Sequence, residues 1–167
     1  MRHSRLIDSV VTSAPEFVRT FHAVDIENLL AGTGFNELDV RRLHRHYAKL
    51  AGHNAGDCTV IATSHYAADG AWFGWPSCAK RAVRSGPDGA DHELLRSLDE
   101  TPIVGRYGRV VIGSGDGIFA DSIAELIAEG VHVTVVARDE VSLSYAVKEL
   151  ASDVRYLMPV LAVPRSA

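Results

Sequence analysis

Acidic residues recur where apolar runs stop. Asp25 closes the run in HAVDIENLL, and Asp116 follows RVVIGS inside a glycine-rich turn, SGDGIF. Asp91 opens the pattern ADHELLRSLDE, and Asp121 lies just beyond the SGDG turn, in IFADSIAELIAEG. Glu27 issues from the same stretch as Asp25. Carboxylates gathered in one crevice repel, and some must take up a proton unless a cation balances them. Oxygen-only ligands select a hard ion such as Mg²⁺ or Mn²⁺ rather than zinc. Such an ion polarises a phosphoryl oxygen and activates water, which suits hydrolysis of a phosphodiester. Whether these side chains meet depends on the elements that carry them.

Strand-like and helix-like segments alternate along the chain, the pattern of an α/β fold with a mainly parallel sheet. Strands are expected at residues 17–24, 58–64, 79–85, 109–114 and 131–137, the third more exposed than the others and the fourth a buried central strand. Residues 154–160 are expected to return as a final edge segment. Helices are expected at 35–51, 90–100, 118–130 and 142–152. In the first of these Asn36 is the cap, and Leu38, Val40, Leu43, Tyr47 and Leu50 share a broad apolar face. In the third, Phe119, Ile123, Leu126 and Ile127 share one face and Gly130 is the stop. Gly70, Gly74 and Pro76 mark 66–77 as irregular, and SGPDG at 85–89 reads as a turn. In an open parallel sheet, ligands bind beyond the C-terminal strand ends where the strand order reverses. If the first and fourth strands are neighbours there, Asp25 and Asp116 face one crevice, with Asp91 and Asp121 reaching it from adjoining helices.

The chain has 167 residues, 47% of them hydrophobic and 23% charged, the size and balance of one soluble domain with a real core. The formal net charge of −4 argues against a nucleic-acid binder that relies on bulk positive charge, though not against a local basic patch. No stretch is apolar for long enough to span a bilayer. Asp8 interrupts the apolar part of the N-terminal segment, which argues against a signal peptide and for a cytoplasmic setting. Cys58 and Cys78 fit neither a disulfide framework nor a zinc motif and read as buried or half-buried thiols. Arginine far outnumbers lysine, which suggests a GC-rich bacterial genome.

DIENL at 25–29, Asp91 before a short helix, and SGDGIF at 114–119 followed by a helix, GVHV and VVA resemble the NYN domain, a branch of the PIN-like nucleases that includes LabA-like bacterial proteins. The resemblance runs from about Phe17 to Leu157. It implies a three-layer α/β/α sandwich with a central, mainly parallel sheet, an acidic Mg²⁺ or Mn²⁺ site, and ribonuclease activity. It also implies roles. Asp25, Asp91 and Asp116 match the family's metal-binding aspartates, and Asn28 matches the polar residue that supports the site. The second aspartate of the family's S-G-D-x-D-F motif would fall at position 118, where this chain has Ile118. Asp121 is the candidate to supply the lost carboxylate. The departure keeps a second function open, an RNA-binding or regulatory module with weakened or lost catalysis.

Each of these residues also has an ordinary structural reading. Asp25 can cap a turn, Asp91 can be a helix N-cap, and Asp121 can complement the dipole of its helix. Arg41, Arg42 and Arg45 form either a solvated helix face or a patch that contacts RNA phosphates. Trp72, Phe73 and Trp75 either pack in the core or stack on the bases of single-stranded RNA. A dinucleotide site at GSGDG is disfavoured, because the last glycine of G-x-G-x-x-G is absent and Asp116 would face the pyrophosphate. The expected partner is single-stranded RNA, with no membrane association; self-association into a homo-oligomer is left open.

Overall fold

The computed structural model describes residues 19–76 and 78–157. Expectations that touch 1–18, including Phe17, Val18 and the N-terminal segment, and those for 158–160 lie outside them.

Among the described residues six short segments, four of them largely apolar, form one parallel sheet: β1 (Thr20–Asp25), β2 (Cys58–Thr63), β3 (Lys80–Val83), β4 (Arg109–Gly113), β5 (His132–Ala137) and β6 (Asp153–Tyr156). Their order is β3-β2-β1-β4-β5-β6. Every residue of β1 is buried, as a central parallel strand covered on both faces requires. The edge strand β3 has two exposed residues, Lys80 and Arg81, in agreement with its polar sequence. β1 pairs with β2 on one side and β4 on the other, Val24 lying beside Gly113. The strand order therefore reverses between β1 and β4.

Among the described residues six α-helices cover the two faces: α1 (Ile26–Leu30), α2 (Glu37–Ala51), α3 (Ala68–Gly74), α4 (Gly89–Glu100), α5 (Ala120–Ala128) and α6 (Tyr145–Leu150). Alternate strand residues point to opposite sides. Phe21, Val110 and Ile112 meet Leu94 of α4, Ile123 of α5 and Val147 of α6. Val24, Ile61 and Val111 meet Leu29 of α1, Leu43 and Tyr47 of α2 and Ala71 of α3. The result is the expected three-layer α/β/α sandwich. Each large apolar side chain buried in these layers contributes about 1.5–3 kcal/mol.

α2 starts where the sequence predicts. Asn36 Oδ1 accepts from the Leu38 and Asp39 amides, and Asp39 returns a carboxylate to the Asn36 amide, a reciprocal cap. Its buried face is narrower than expected. Val40, Leu43 and Tyr47 are covered, Leu50 is only partly covered, and Leu38 faces solvent. Two helices depart from expectation. The five-residue α1 is too short to show a period, and α3 occupies the stretch read as irregular. The glycines of α3 are contact points rather than breakers: a Cβ at Gly74 would lie 2.4 Å from Val40 Cβ. Cys58 is half-buried as expected, whereas Cys78 is exposed. Among the described residues no helix is long and apolar enough to cross a membrane.

The α2 face holds a polar chain inside the core. His22 is fully buried, with Nε2 3.3 Å from Asp57 Oδ2 and Nδ1 2.8 Å from the Tyr47 hydroxyl. A carboxylate only accepts, so the proton sits on Nε2 and Tyr47 donates to Nδ1. Burial, then the neighbouring His53, lower the His22 pKa to about 4, although Asp57 opposes them. Burial likewise lowers His44 and His53. These folded pKa values lie below the unfolded value near 6.5, so the unfolded chain binds more protons in between. Stability is therefore full above about pH 6.5 and is lost as pH falls toward 4, with a His22 share on the order of 3 kcal/mol. Urea denaturation across this range should show the loss, and His22→Gln, which can donate to Asp57 and accept from Tyr47, should flatten it. An unchanged acid limb in the variant would remove His22 as its source.

Candidate functional site

The C-terminal ends of β1 and β4 bring Asp25 and Asp116 near Asp91, and leave the fourth predicted carboxylate, Asp121, outside the group. β1 ends in Asp25, which stays buried because its side chain is tied into the start of α1: Oδ1 accepts from the Asn28 amide at 3.0 Å. The cap reading and the site reading of Asp25 thus coexist. Asn28 then reaches across the crevice, and its Oδ1 accepts from the Gly115 amide at 3.1 Å. One side chain joins the ends of β1 and β4 and sets the spacing between Asp25 and Asp116.

The β4 turn is held from its other side as well. The Ser144 amide donates to the Gly115 carbonyl, and a Cβ at Gly115 would lie 2.3 Å from the Ser142 carbonyl oxygen. Glycine is required there for the loops to touch. Asp116 is partly exposed and accepts from the Ile118 amide through Oδ1 at 2.9 Å. The Ile118 side chain packs against the core cluster. The position where a second carboxylate was expected is therefore apolar and faces inward.

Asp91 arrives from α4. It is not the N-cap, since that position falls to Asp88, in a left-handed conformation with φ of 52°. Asp91 lies in the first turn, buried, with Oδ1 receiving no donor among the described residues. Its carboxyl hydrogen-bonds to Asp25. Burial and the charge of Asp25, with Asp116 and Asp88 behind, push its pKa up to about 8. Burial also raises Asp25, while the Asn28 amide and the Asp91 hydrogen bond pull it back. Two carboxyls this close and this buried cannot both ionise at low cost without a cation, so the pair favours keeping a proton between them.

Asp121 is exposed on the first turn of α5 and is not among the leading charges acting on Asp25 or Asp91. Asp88 takes that place, a neighbour that the SGPDG turn signal did not suggest. Glu27 turns toward β2, where Oε1 accepts from the Ser64 amide at 2.5 Å and from the Thr63 hydroxyl at 2.8 Å. It clamps the end of β2 beside Asp25.

Arg41, Arg42 and Arg45 come together, with Leu38, His44 and Pro76, in a groove of about 390 Å³ between α2 and the end of α3. Arg41 pairs with Glu37 and Arg42 approaches Asp39, whereas Arg45 has no acidic partner among the described residues. Of the aromatic cluster, Trp75 is core, Trp72 is partly buried and Phe73 is exposed.

The donor chemistry of Asp25, Asp91 and Asp116 suits a hard cation: all are oxygens, one buried oxygen lacks a donor, and the mutual repulsion needs either a proton or an ion. The three are not drawn tightly around one point. Among the described residues no group of three or more His, Cys, Asp or Glu side chains is arranged to hold a metal. A dinucleotide fares worse. The strand order is the doubly wound one, but its first βα turn carries Asp25 as the cap of α1, where a pyrophosphate would have to sit.

Asn28→Ala tests the bridge. The buried Gly115 amide loses its acceptor, at an expected cost of about 1–3 kcal/mol in urea denaturation. Unchanged stability would show that the two strand ends are set by packing alone.

No family model matches the chain, and no curated protein matches its sequence.

Proposed function

We propose that this protein is a PIN-like ribonuclease of the NYN type that hydrolyses phosphodiester bonds of single-stranded RNA in the cytoplasm. The observation that carries the reading is the buried, hydrogen-bonded Asp25–Asp91 pair with Asp116 beside it, at the point where the strand order reverses. Asp25, Asp91 and Asp116 would hold Mg²⁺ or Mn²⁺, and Asp121 stands at the rim on α5. The ion would supply Lewis-acid stabilisation of the phosphoryl charge and activation of water. The chain's own part is positional. Asn28 fixes the separation of Asp25 and Asp116, Glu27 anchors the loop behind them, and Arg41, Arg42 and Arg45 attract the phosphate backbone.

A specific observation favours a second reading. Ile118 packs inward where the family has an aspartate, and the carboxylates do not converge into a ready-made cage. A module that binds RNA without cutting it fits those facts. Incubating the protein with labelled single-stranded RNA, with and without Mn²⁺, separates the two. The nuclease reading expects ion-dependent cleavage that Asp25→Asn removes. Binding in EDTA with no cleavage at any Mn²⁺ concentration would leave only the binding module.

A further inference from the structure

On the proposal that the crevice acts on single-stranded RNA, we infer that the strand leaves it on the β2 side, over Tyr66 and Phe73 into the arginine groove of α2. Tyr66 lies in the short turn His65–Ala67 that follows β2. This turn is fixed on two sides. The Ser64 amide before it is bonded to Glu27, next to Asp25, and the His65 amide and Nδ1 both meet the Ser85 hydroxyl. Yet Tyr66 itself is 88% exposed, an aromatic ring held out to solvent just past the C-terminal end of β2, the strand that pairs with β1. α3 starts directly after it and carries Phe73, 67% exposed, at its far end. Seven residues of helix span ~10 Å, the scale of a short stretch of single strand. At that end the Arg41 guanidinium donates to the Phe73 carbonyl, so the backbone that carries the second ring is tied to the helix of Arg41, Arg42 and Arg45.

Aromatic rings leading into a cationic groove are how single strands are held without sequence preference. The opposite flank lacks the second half. Tyr145 opens α6 there and is 76% exposed, but the basic groups beside it are consumed, Arg138 by Asp139 and Lys148 by Glu140. Charge selects the β2 side. Arg45 supplies a guanidinium with no acidic partner among the described residues, and the carboxylates of the crevice repel every phosphate that no cation screens.

The test is binding of a fluorescent single-stranded oligouridylate in EDTA, by anisotropy at several salt concentrations, beside cleavage in Mn²⁺. Loss of one stacked base weakens binding about 5- to 100-fold, the expectation for Tyr66→Ala, with an unchanged salt slope. Arg45→Ala should weaken binding and reduce the slope by about 0.7, one phosphate contact on a single strand. Tyr145→Ala should stay within about twofold of wild type. All three sites are on the surface, and thermal melts confirm folding. If wild type binds and cuts RNA but Tyr66→Ala and Arg45→Ala bind as it does, the path is wrong and the nuclease reading stands. An equal loss in Tyr145→Ala also overturns the path. The expected pattern without cleavage supports the path and removes the nuclease. A wild type that binds no RNA removes both.

Discussion

Asp116→Asn is expected to lower ion-dependent cleavage of single-stranded RNA by more than about 100-fold while leaving the fold intact. Both halves follow from where Asp116 sits. Its Oδ1 accepts from the Ile118 amide, a bond that an asparagine oxygen reproduces, and the side chain is partly exposed, so no buried cavity or orphaned donor arises. What asparagine cannot reproduce is the charge. Outer groups that merely orient ligands already cost about 10–100-fold when lost, and a carboxylate that would itself hold the ion should cost more. There is an internal check. Asp116 is one of the charges that raise Asp91. Removing it must lower the Asp91 pKa, so the variant should shed part of the alkaline instability described below. Cleavage at the wild-type rate by a clean preparation would end the nuclease reading for this crevice. A stability profile identical to wild type would show that Asp116 and Asp91 do not feel each other.

The sheet and the acidic crevice are legible in the sequence because both depend on short-range patterns. Continuous apolar runs such as RVVIGS have one economical use, a strand covered on both faces, and an aspartate directly after such a run must lie at a strand end. That Asp25 and Asp116 follow from neighbouring strand ends needs only that β1 and β4 be adjacent. Other features depend on contacts that no local pattern encodes. Gly70, Gly74 and Pro76 suggested a broken loop, yet Gly74 is what lets α3 approach Val40 of α2, so packing overrides the low helix propensity of glycine. α1 leaves a faint trace, the aspartate three residues before Asn28, which is its cap bond. A broad apolar stripe that includes Leu38 cannot say where its edge lies; Leu38 borders the arginine groove instead. Asp88 acts on Asp91 from a turn in which Asp88 itself takes a left-handed conformation, as Gly86 also takes a positive φ. The chain from Asp57 through His22 to Tyr47 joins β1, α2 and the loop before β2, and no local pattern encodes it.

Asp91→Asn should make the ion-free protein more stable above neutral pH while removing cleavage. The folded pKa of Asp91 is raised to about 8 from 3.8, so the folded state holds a proton that the unfolded state releases. Stability from this group is full below about pH 4 and is lost as pH rises toward 8, opposite in sign to the histidine contribution. The two can be separated, because the histidines are already neutral above about pH 6.5. Between pH 6.5 and 8.5 in EDTA, wild type should lose on the order of 2 kcal/mol in urea denaturation, since ionising Asp91 beside Asp25 leaves two buried like charges. Asparagine carries no charge and can still donate to Asp25, so the variant should be flat over this window and the more stable of the two at its upper end. Mg²⁺ or Mn²⁺ should reverse the order. The ion takes the place of the shared proton, so it should stabilise wild type more at pH 8.5 than at 6.5, and the variant little at either. A wild type that loses nothing over this window in EDTA would mean that Asp91 is already ionised without an ion. The buried pair would then be no reason to place a cation in the crevice.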